Sequence, residues 1–146
     1  MGLDMEKYRR IFLEESTDHL GEVGRALLDL EKEMANGEAI DTIFRMAHSM
    51  KSMAASLGYD AVSDLAHRME DRMEGVRSAG RVRDHEELGL LFRSLEALES
   101  MVAAVNAEAD LEPASPELLA ALAASPAAPP AESGTPEPVG GEPKKV

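Results

Sequence analysis

Residues 38–80 decide the fold, and they read EAIDTIFRMAHSMKSMAASLGYDAVSDLAHRMEDRMEGVRSAG. Apolar side chains recur here every three or four residues on both sides of Gly58, which is the spacing of one face of an α-helix. Glycine often ends a helix because it readily adopts the left-handed conformation. The segment therefore predicts two amphipathic helices, over about 38–57 and about 60–80, with Asp60 as the capping residue of the second.

Each of these two helices presents one apolar stripe to a common core. The stripe of the first consists of Ile40, Ile43, Phe44, Ala47, Met50 and Ala54. The stripe of the second consists of Val62, Leu65, Ala66, Met69, Met73 and Val76. Two such stripes on antiparallel neighbours can pack against each other, but further helices are needed to cover them.

Three further helices flank this pair. One is predicted over about 4–34 and ends at Asn36-Gly37. Another follows Asp84, which forms a capping-box-like pair with Glu87. A short one begins at Ser115, with proline in its first position. The stripes of the two long ones are Leu20, Val23, Leu27, Leu30 and Met34, and Leu88, Leu91, Leu95, Leu98, Val102 and Val105.

Four long helices with short connections predict an all-α fold, an up-down-up-down four-helix bundle with a short fifth helix. Residues 126–146 read PAAPPAESGTPEPVGGEPKKV, in which proline, glycine and glutamate dominate. Such a segment buries too little apolar surface to offset its ordering entropy, so we expect a disordered C-terminal tail. The predicted division is a helical domain over 1–125 and a linker over 126–146.

Composition excludes several classes of protein. The chain has no cysteine, which excludes disulfides and thiolate metal sites. Its net charge of −13 argues against nucleic acid and anionic membrane surfaces as partners. No apolar run approaches the ~20 residues that span a bilayer, so no membrane insertion is expected. The N-terminal MGLDMEKYRR is too charged for a signal peptide, which makes the cytoplasm the expected compartment.

A possible reactive site begins with His48, which borders the apolar stripe of the helix predicted over about 38–57, the second along the chain. Lys51 and Ser52 follow it by three and four residues and lie on the same face, and Ala55 continues that face. A histidine and a lysine among small residues form an accessible strip in the middle of a helix. This strip leaves room for the active site of a partner protein.

Helix register places the helix predicted over about 60–80, the third along the chain, against this strip. His48 lies ten residues before Gly58, and Glu70 lies ten residues after Asp60. Both are therefore ~15 Å from the turn, and they should be level in an antiparallel pair. His67 lies one turn from Glu70 on the same face. The sequence predicts one cluster of His48, Lys51, His67 and Glu70.

That cluster fits phosphoryl transfer through a histidine. A nucleophilic imidazole needs one nitrogen with a free lone pair. A carboxylate that accepts the N–H of the other nitrogen fixes this tautomer and raises nucleophilicity, which suits Glu70. Lys51 supplies positive charge where phosphoryl oxygens would sit. Phosphotransfer through His48 is therefore one hypothesis from the residues alone.

Two other interpretations must be weighed against phosphotransfer. A histidine beside an apolar stripe is often structural, and a purely structural or partner-binding helical bundle needs no reactive residue. Di-iron bundles use Glu-x-x-His motifs on two helices with two further glutamates. Only the reversed order, His67-x-x-Glu70, occurs here, and His19 and His85 have no matching partners. We therefore expect no metal site.

The same residues carry a family resemblance. The motifs are Phe44-Arg-x-x-His48-Ser-x-Lys51, then Leu57-Gly58-Tyr59, then His67-x-x-Glu70, with Phe12-Leu-Glu-Glu-Ser in the first helix. This pattern resembles the N-terminal histidine-phosphotransfer domain of CheA-type chemotaxis histidine kinases, over residues 1 to about 125. One position departs from it, because the family usually has glycine where this chain has Ser52.

The resemblance implies a role for each of these residues. His48 would be the phosphoacceptor, Glu70 its hydrogen-bond partner, and Lys51 and His67 supporting residues. The phosphoryl group would come from the ATP-binding domain of a histidine kinase and pass to an aspartate of a CheY-like response regulator. The regulator is expected to dock over His48, Ser49, Ser52 and Ala55 with neighbouring residues of the third helix.

The resemblance also implies where the cofactors of this reaction are held. This domain would bind none itself, with ATP on the kinase domain and Mg²⁺ on the regulator. The chain shows no Gly-rich phosphate loop and no Asn-bearing ATP-binding segment. It is therefore expected to be a phosphotransfer substrate and carrier, and the first piece of a longer protein-histidine kinase.

Overall fold

The computed structural model describes residues 2–124, which form five α-helices and, within that range, no strand. Their bounds are α1 (Gly2–Lys32), α2 (Gly37–Leu57), α3 (Asp60–Ala79), α4 (His85–Asn106) and α5 (Pro116–Ala123). The segment predicted to be a disordered linker, 126–146, lies outside the described residues.

The four long helices form the predicted up-down-up-down bundle. Close backbone contacts join α1 to α2, α2 to α3, α3 to α4 and α4 to α1, and no such contacts join the diagonal pairs among the described residues. Connections of at most five residues link consecutive long helices, so neighbours along the chain are antiparallel. The short α5 packs against α3 and α4. The predicted architecture is confirmed.

The core consists of the four predicted stripes. Every stripe residue is buried except Met34 and Phe44, which are partly buried and still pack against the core. Phe12 adds the largest buried side chain of α1 and contacts the Tyr59 ring, with 4.9 Å between ring centroids. This pair closes the end of the bundle at which α2 turns into α3.

Two predicted helix boundaries are wrong. Asn36 begins α2 and does not end α1, because its side-chain oxygen accepts the Ala39 N–H at 3.0 Å. Asparagine occurs at both helix ends, and α1 already stops at Lys32. Asp60 is the first residue of α3 and makes no cap, since Tyr59 holds the N-cap position without a side-chain hydrogen bond.

The other predicted signals match the structure. Gly58 and Gly80 end α2 and α3 with φ angles of 82° and 83°, in the left-handed region that favours glycine. Asp84 caps α4 by accepting the Glu87 N–H at 2.9 Å. The Glu87 carboxylate reaches back one residue further than in a standard capping box, to the Arg83 N–H at 2.8 Å.

A buried ion pair anchors α5, and the sequence did not predict it. Arg72 Nε donates to Glu87 Oε2 at 2.9 Å, and the two side chains are only 3% and 1% exposed. Arg72 Nη1 also donates to backbone oxygens at the end of α5, at 3.1 Å to Ala121, 3.4 Å to Leu122 and 2.7 Å to Ala124. We call this set the Arg72 bridge. It joins α3, α4 and α5.

Candidate functional site

His48 and Glu70 face each other across α2 and α3. His48 Nδ1 lies 2.6 Å from Glu70 Oε2. The His48 side chain is 57% exposed, whereas the Glu70 side chain is 11% exposed. An ionised carboxylate can only accept, so Nδ1 carries the proton and donates it to Glu70. The lone pair of the neutral ring is then on Nε2, which makes no hydrogen bond to the described residues.

Lys51 occupies the other oxygen of the same carboxylate. Its Nζ lies 2.7 Å from Glu70 Oε1, and its side chain is 28% exposed. Burial raises the pKa of Glu70, but the hydrogen bonds and charges of Lys51 and His48 outweigh this effect and bring the pKa below its ordinary value. Glu70 is therefore ionised at neutral pH, as the tautomer assigned to His48 requires.

The depressed pKa of Glu70 also links the site to the stability of the bundle. Because the folded pKa lies below the unfolded value, the ionised carboxylate stabilises the folded state above the unfolded pKa of about 4.3. This stabilisation is lost as the pH falls through the folded pKa. Glu70 therefore contributes this stabilisation in full at neutral pH.

Contacts on both sides of the site fix the register of α2 against α3. Toward the turn, Ser63 Oγ donates to the Lys51 carbonyl at 3.3 Å. Toward the other end, the Arg77 guanidinium lies over the Phe44 ring, 4.4 Å from its centroid. His48 and Glu70 lie between these two contacts, so neither helix can slide without breaking one of them.

His67 is not joined to the other predicted cluster residues by a hydrogen bond. Its Nε2 lies 3.6 Å from Asp71 Oδ2, one turn further along α3, and its side chain is 55% exposed. The structure thus brings three of the four predicted residues into direct contact: His48, Lys51 and Glu70.

Of the predicted docking residues, Ser52 and Ala55 lie on the outer side of α2, and Ser49 lies nearer to α1. Ser52 and Ala55 are exposed. Ser49 is half-buried because it turns toward α1, where its hydroxyl lies 3.1 Å from His19 Nε2. His19 was not among the predicted site residues, because the sequence pattern specifies no register between α1 and α2. The half-buried histidine therefore borders the strip from the opposite side to Glu70.

The described residues contain neither a metal-ligating cluster nor a membrane-spanning helix. Residues 2–124 contain no group of three or more His, Cys, Asp or Glu side chains placed to hold a metal ion. None of the helices in that range is both long and apolar enough to cross a membrane.

Several known proteins are similar to this chain in sequence and in fold. A model of the Hpt domain family matches residues 7–108. The chemotaxis protein CheA of Bacillus subtilis is 34% identical over 103 residues, which cover 70% of this chain and 15% of that protein. CheA of Halobacterium salinarum is 31% identical over 108 residues, covering 74% and 16%. The chain thus spans about a sixth of the length of these relatives.

A solved structure agrees with these matches. The phosphorylated P1 domain of CheA3 from R. sphaeroides, in complex with CheY6, superposes with a TM-score of 0.71 at 25% identity. The match covers 80% of this chain and 92% of that one. The family model covers more than half of the chain, from residue 7 to residue 108. The chain belongs to the Hpt domain family.

Proposed function

We propose that this chain is the phosphoryl-carrying domain of a CheA-type chemotaxis histidine kinase. His48 accepts a phosphoryl group from the kinase ATP-binding domain and donates it to an aspartate of a CheY-like response regulator. The observation that carries the proposal is the His48 ring, which is mostly exposed while its Nδ1 is held by a nearly buried carboxylate. This arrangement presents Nε2 as a nucleophile to a partner.

The proposed reaction has two steps. The Nε2 lone pair of His48 attacks the γ-phosphorus of ATP, and the bond to the bridging oxygen breaks so that ADP leaves with its electron pair. In the second step an aspartate oxygen of the regulator attacks phosphorus, and the N–P bond electrons return to Nε2. The Nδ1 proton stays hydrogen-bonded to Glu70 throughout, so the positive charge that develops on the ring faces a carboxylate.

Lys51 acts through Glu70 in this proposal. Its ammonium group contacts Glu70 Oε1, which keeps the carboxylate ionised and turns Oε2 toward His48. It also places positive charge one turn from the phosphoryl site. His67 is proposed as a supporting residue at the edge of the site, where its Nε2 lies 3.6 Å from Asp71 Oδ2.

The remaining components belong to the partners. We propose that ATP is bound by the kinase domain and Mg²⁺ by the regulator, and that this domain binds neither. The regulator docks over the outer side of α2, at Ser49, Ser52 and Ala55. The complex of the related CheA3 domain with CheY6 supports a regulator as partner. The domain is proposed to span 1–125, with 126–146 as linker.

A two-stage labelling experiment tests this function. The purified chain is incubated with radiolabelled ATP, with and without a CheA kinase core, and a CheY-type regulator with Mg²⁺ is then added. We expect acid-labile label only when the kinase core is present, and its rapid transfer to the regulator. Label that appears without a kinase core would contradict the proposal that the phosphoryl group comes from a separate kinase domain. Label that persists with every regulator tested would contradict the carrier role.

Replacing Glu70 with alanine should markedly lower the rate at which His48 is phosphorylated. Its effect on the stability of the bundle should be smaller. The variant loses the hydrogen bond that keeps the lone pair on Nε2, and comparable losses around metal-bound histidines cost about 10–100-fold. Glu70→Gln is the matched variant, because its amide oxygen can still accept from Nδ1. The initial rate of labelling by the kinase core should rank wild type, Glu70→Gln and then Glu70→Ala. Equal rates for all three would remove Glu70 from the mechanism.

A further inference from the structure

The hydroxyl of Ser52 is unengaged beside the proposed phosphoacceptor. Ser52 is exposed and lies one turn after His48 on α2, and its hydroxyl makes no hydrogen bond to the described residues. Two other hydroxyls in these helices are hydrogen-bonded within their own helix. Thr17 and Ser94 donate to the carbonyls four residues earlier, at 2.8 Å and 3.0 Å.

The neighbouring hydroxyls on the two helices of the site are engaged elsewhere. Ser49 lies 3.1 Å from His19 Nε2 on α1. Ser63 donates to the Lys51 carbonyl at 3.3 Å. Within one turn of His48 on α2, Ser52 therefore carries the hydroxyl that remains available to a group bound at the surface.

Helix geometry places the Ser52 side chain on the same face of α2 as His48. Cα–Cβ bonds tilt toward the helix N-terminus, so a side chain four residues later leans back over the earlier one. Cβ atoms at this spacing are about 5–6 Å apart. Glu70 holds Nδ1 on the α3 side of the ring, so Nε2 is displaced from α3 toward the outer side of α2, where Ser52 lies.

We propose that the Ser52 hydroxyl donates a hydrogen bond to a phosphoryl oxygen carried on His48 Nε2 and so prolongs the lifetime of the phosphohistidine. The inference rests on the proposed function and adds a residue that touches the transferred group. In the loss reaction, water attacks phosphorus, the N–P bond breaks, its electrons return to Nε2, and inorganic phosphate leaves. A hydrogen bond that stabilises the bound phosphoryl group slows this step.

The test measures how long the phosphohistidine survives. Phosphorylated chain is freed of kinase, ATP and Mg²⁺, and the loss of label is followed for the wild type and three variants. Ser52→Ala removes the hydroxyl and keeps the helix, whereas Ser52→Thr retains a hydroxyl. Ser56→Ala removes an exposed hydroxyl one turn further along the same side of α2. Melting curves check that all four proteins are equally folded.

We expect Ser52→Ala to shorten the half-life about 3- to 10-fold, the range set by one hydrogen bond. Ser52→Thr and Ser56→Ala should match the wild type. Equal half-lives for Ser52→Ala and wild type, or an equal loss in Ser56→Ala, would overturn the assignment and leave the proposed function standing. A wild-type chain that a competent kinase core cannot label would overturn both.

Discussion

Replacing His48 with glutamine abolishes labelling by the kinase core and leaves the bundle folded. The amide nitrogen of glutamine has no available lone pair, so the variant cannot form an N–P bond. The His48 side chain is 57% exposed and lies outside the core, and surface changes of this kind usually shift stability by no more than about 0.5 kcal/mol. The measurement is acid-labile label after incubation with kinase core and ATP, with circular dichroism as the check on folding.

Matched variants at the other histidines complete this experiment. His19→Gln, His67→Gln and His85→Gln should each retain label, because none of these rings has its Nδ1 held by a buried carboxylate as His48 does. Persistent labelling of His48→Gln would move the phosphorylation site elsewhere. If the double variant His48→Gln, His67→Gln then lost the label, His67 would be identified as the phosphorylation site.

Replacing Arg72 with methionine destabilises the bundle by about 3–5 kcal/mol, the typical result of removing one partner of a buried ion pair. Methionine keeps much of the apolar volume, but it leaves the Glu87 carboxylate buried without its countercharge. It also removes the donor that holds the last backbone oxygens of α5. Urea denaturation measures the change in the free energy of unfolding.

Two companion variants distinguish the cost of the unpaired buried charge from the cost of any arginine-to-methionine replacement on α3. Arg68→Met lies one turn earlier on α3 and loses an exposed pair with Asp64, so it should cost at most about 1 kcal/mol. The double variant Arg72→Met, Glu87→Leu should be more stable than Arg72→Met alone, because it no longer buries an unpaired carboxylate. If Arg72→Met were as stable as Arg68→Met, the Arg72 bridge would not contribute to stability.

The core residues and the register of α2 against α3 could be predicted from the sequence, because both depend on helical periodicity. The stripes follow from helical spacing, and their residues form the observed core. The pairing of His48 with Glu70 follows from counting equal distances from Gly58, a turn that glycine specifies locally. Short, regular connections leave little freedom for an error of register.

The Arg72 bridge and the His19–Ser49 contact could not be derived in the same way. Glu87 and Arg72 lie 15 residues apart on different helices, and Ser49 is 30 residues from His19. One signal was present: Arg72 falls within the inward spacing of Met69, Met73 and Val76, which marks it as buried. Which residue pairs with Arg72 depends on how α3, α4 and α5 pack together. The apolar pattern of one helix gives no information about that packing.

The Arg72 bridge also determines where a tether to other domains begins. It fixes the Ala124 oxygen 2.7 Å from Arg72, and Arg72 is only two residues from Glu70 on α3. The two residues differ by about 3 Å along the helix axis and project from opposite sides of it. The described chain therefore ends on the flank of the bundle, near the height of His48 along the helix axes and on the side of α3 away from Glu70. For the proposed kinase domain, a connection that starts at this height could reach His48 with a shorter linker than one that starts at either end of the bundle. Effective concentration falls as a linker grows longer than the span it must cover.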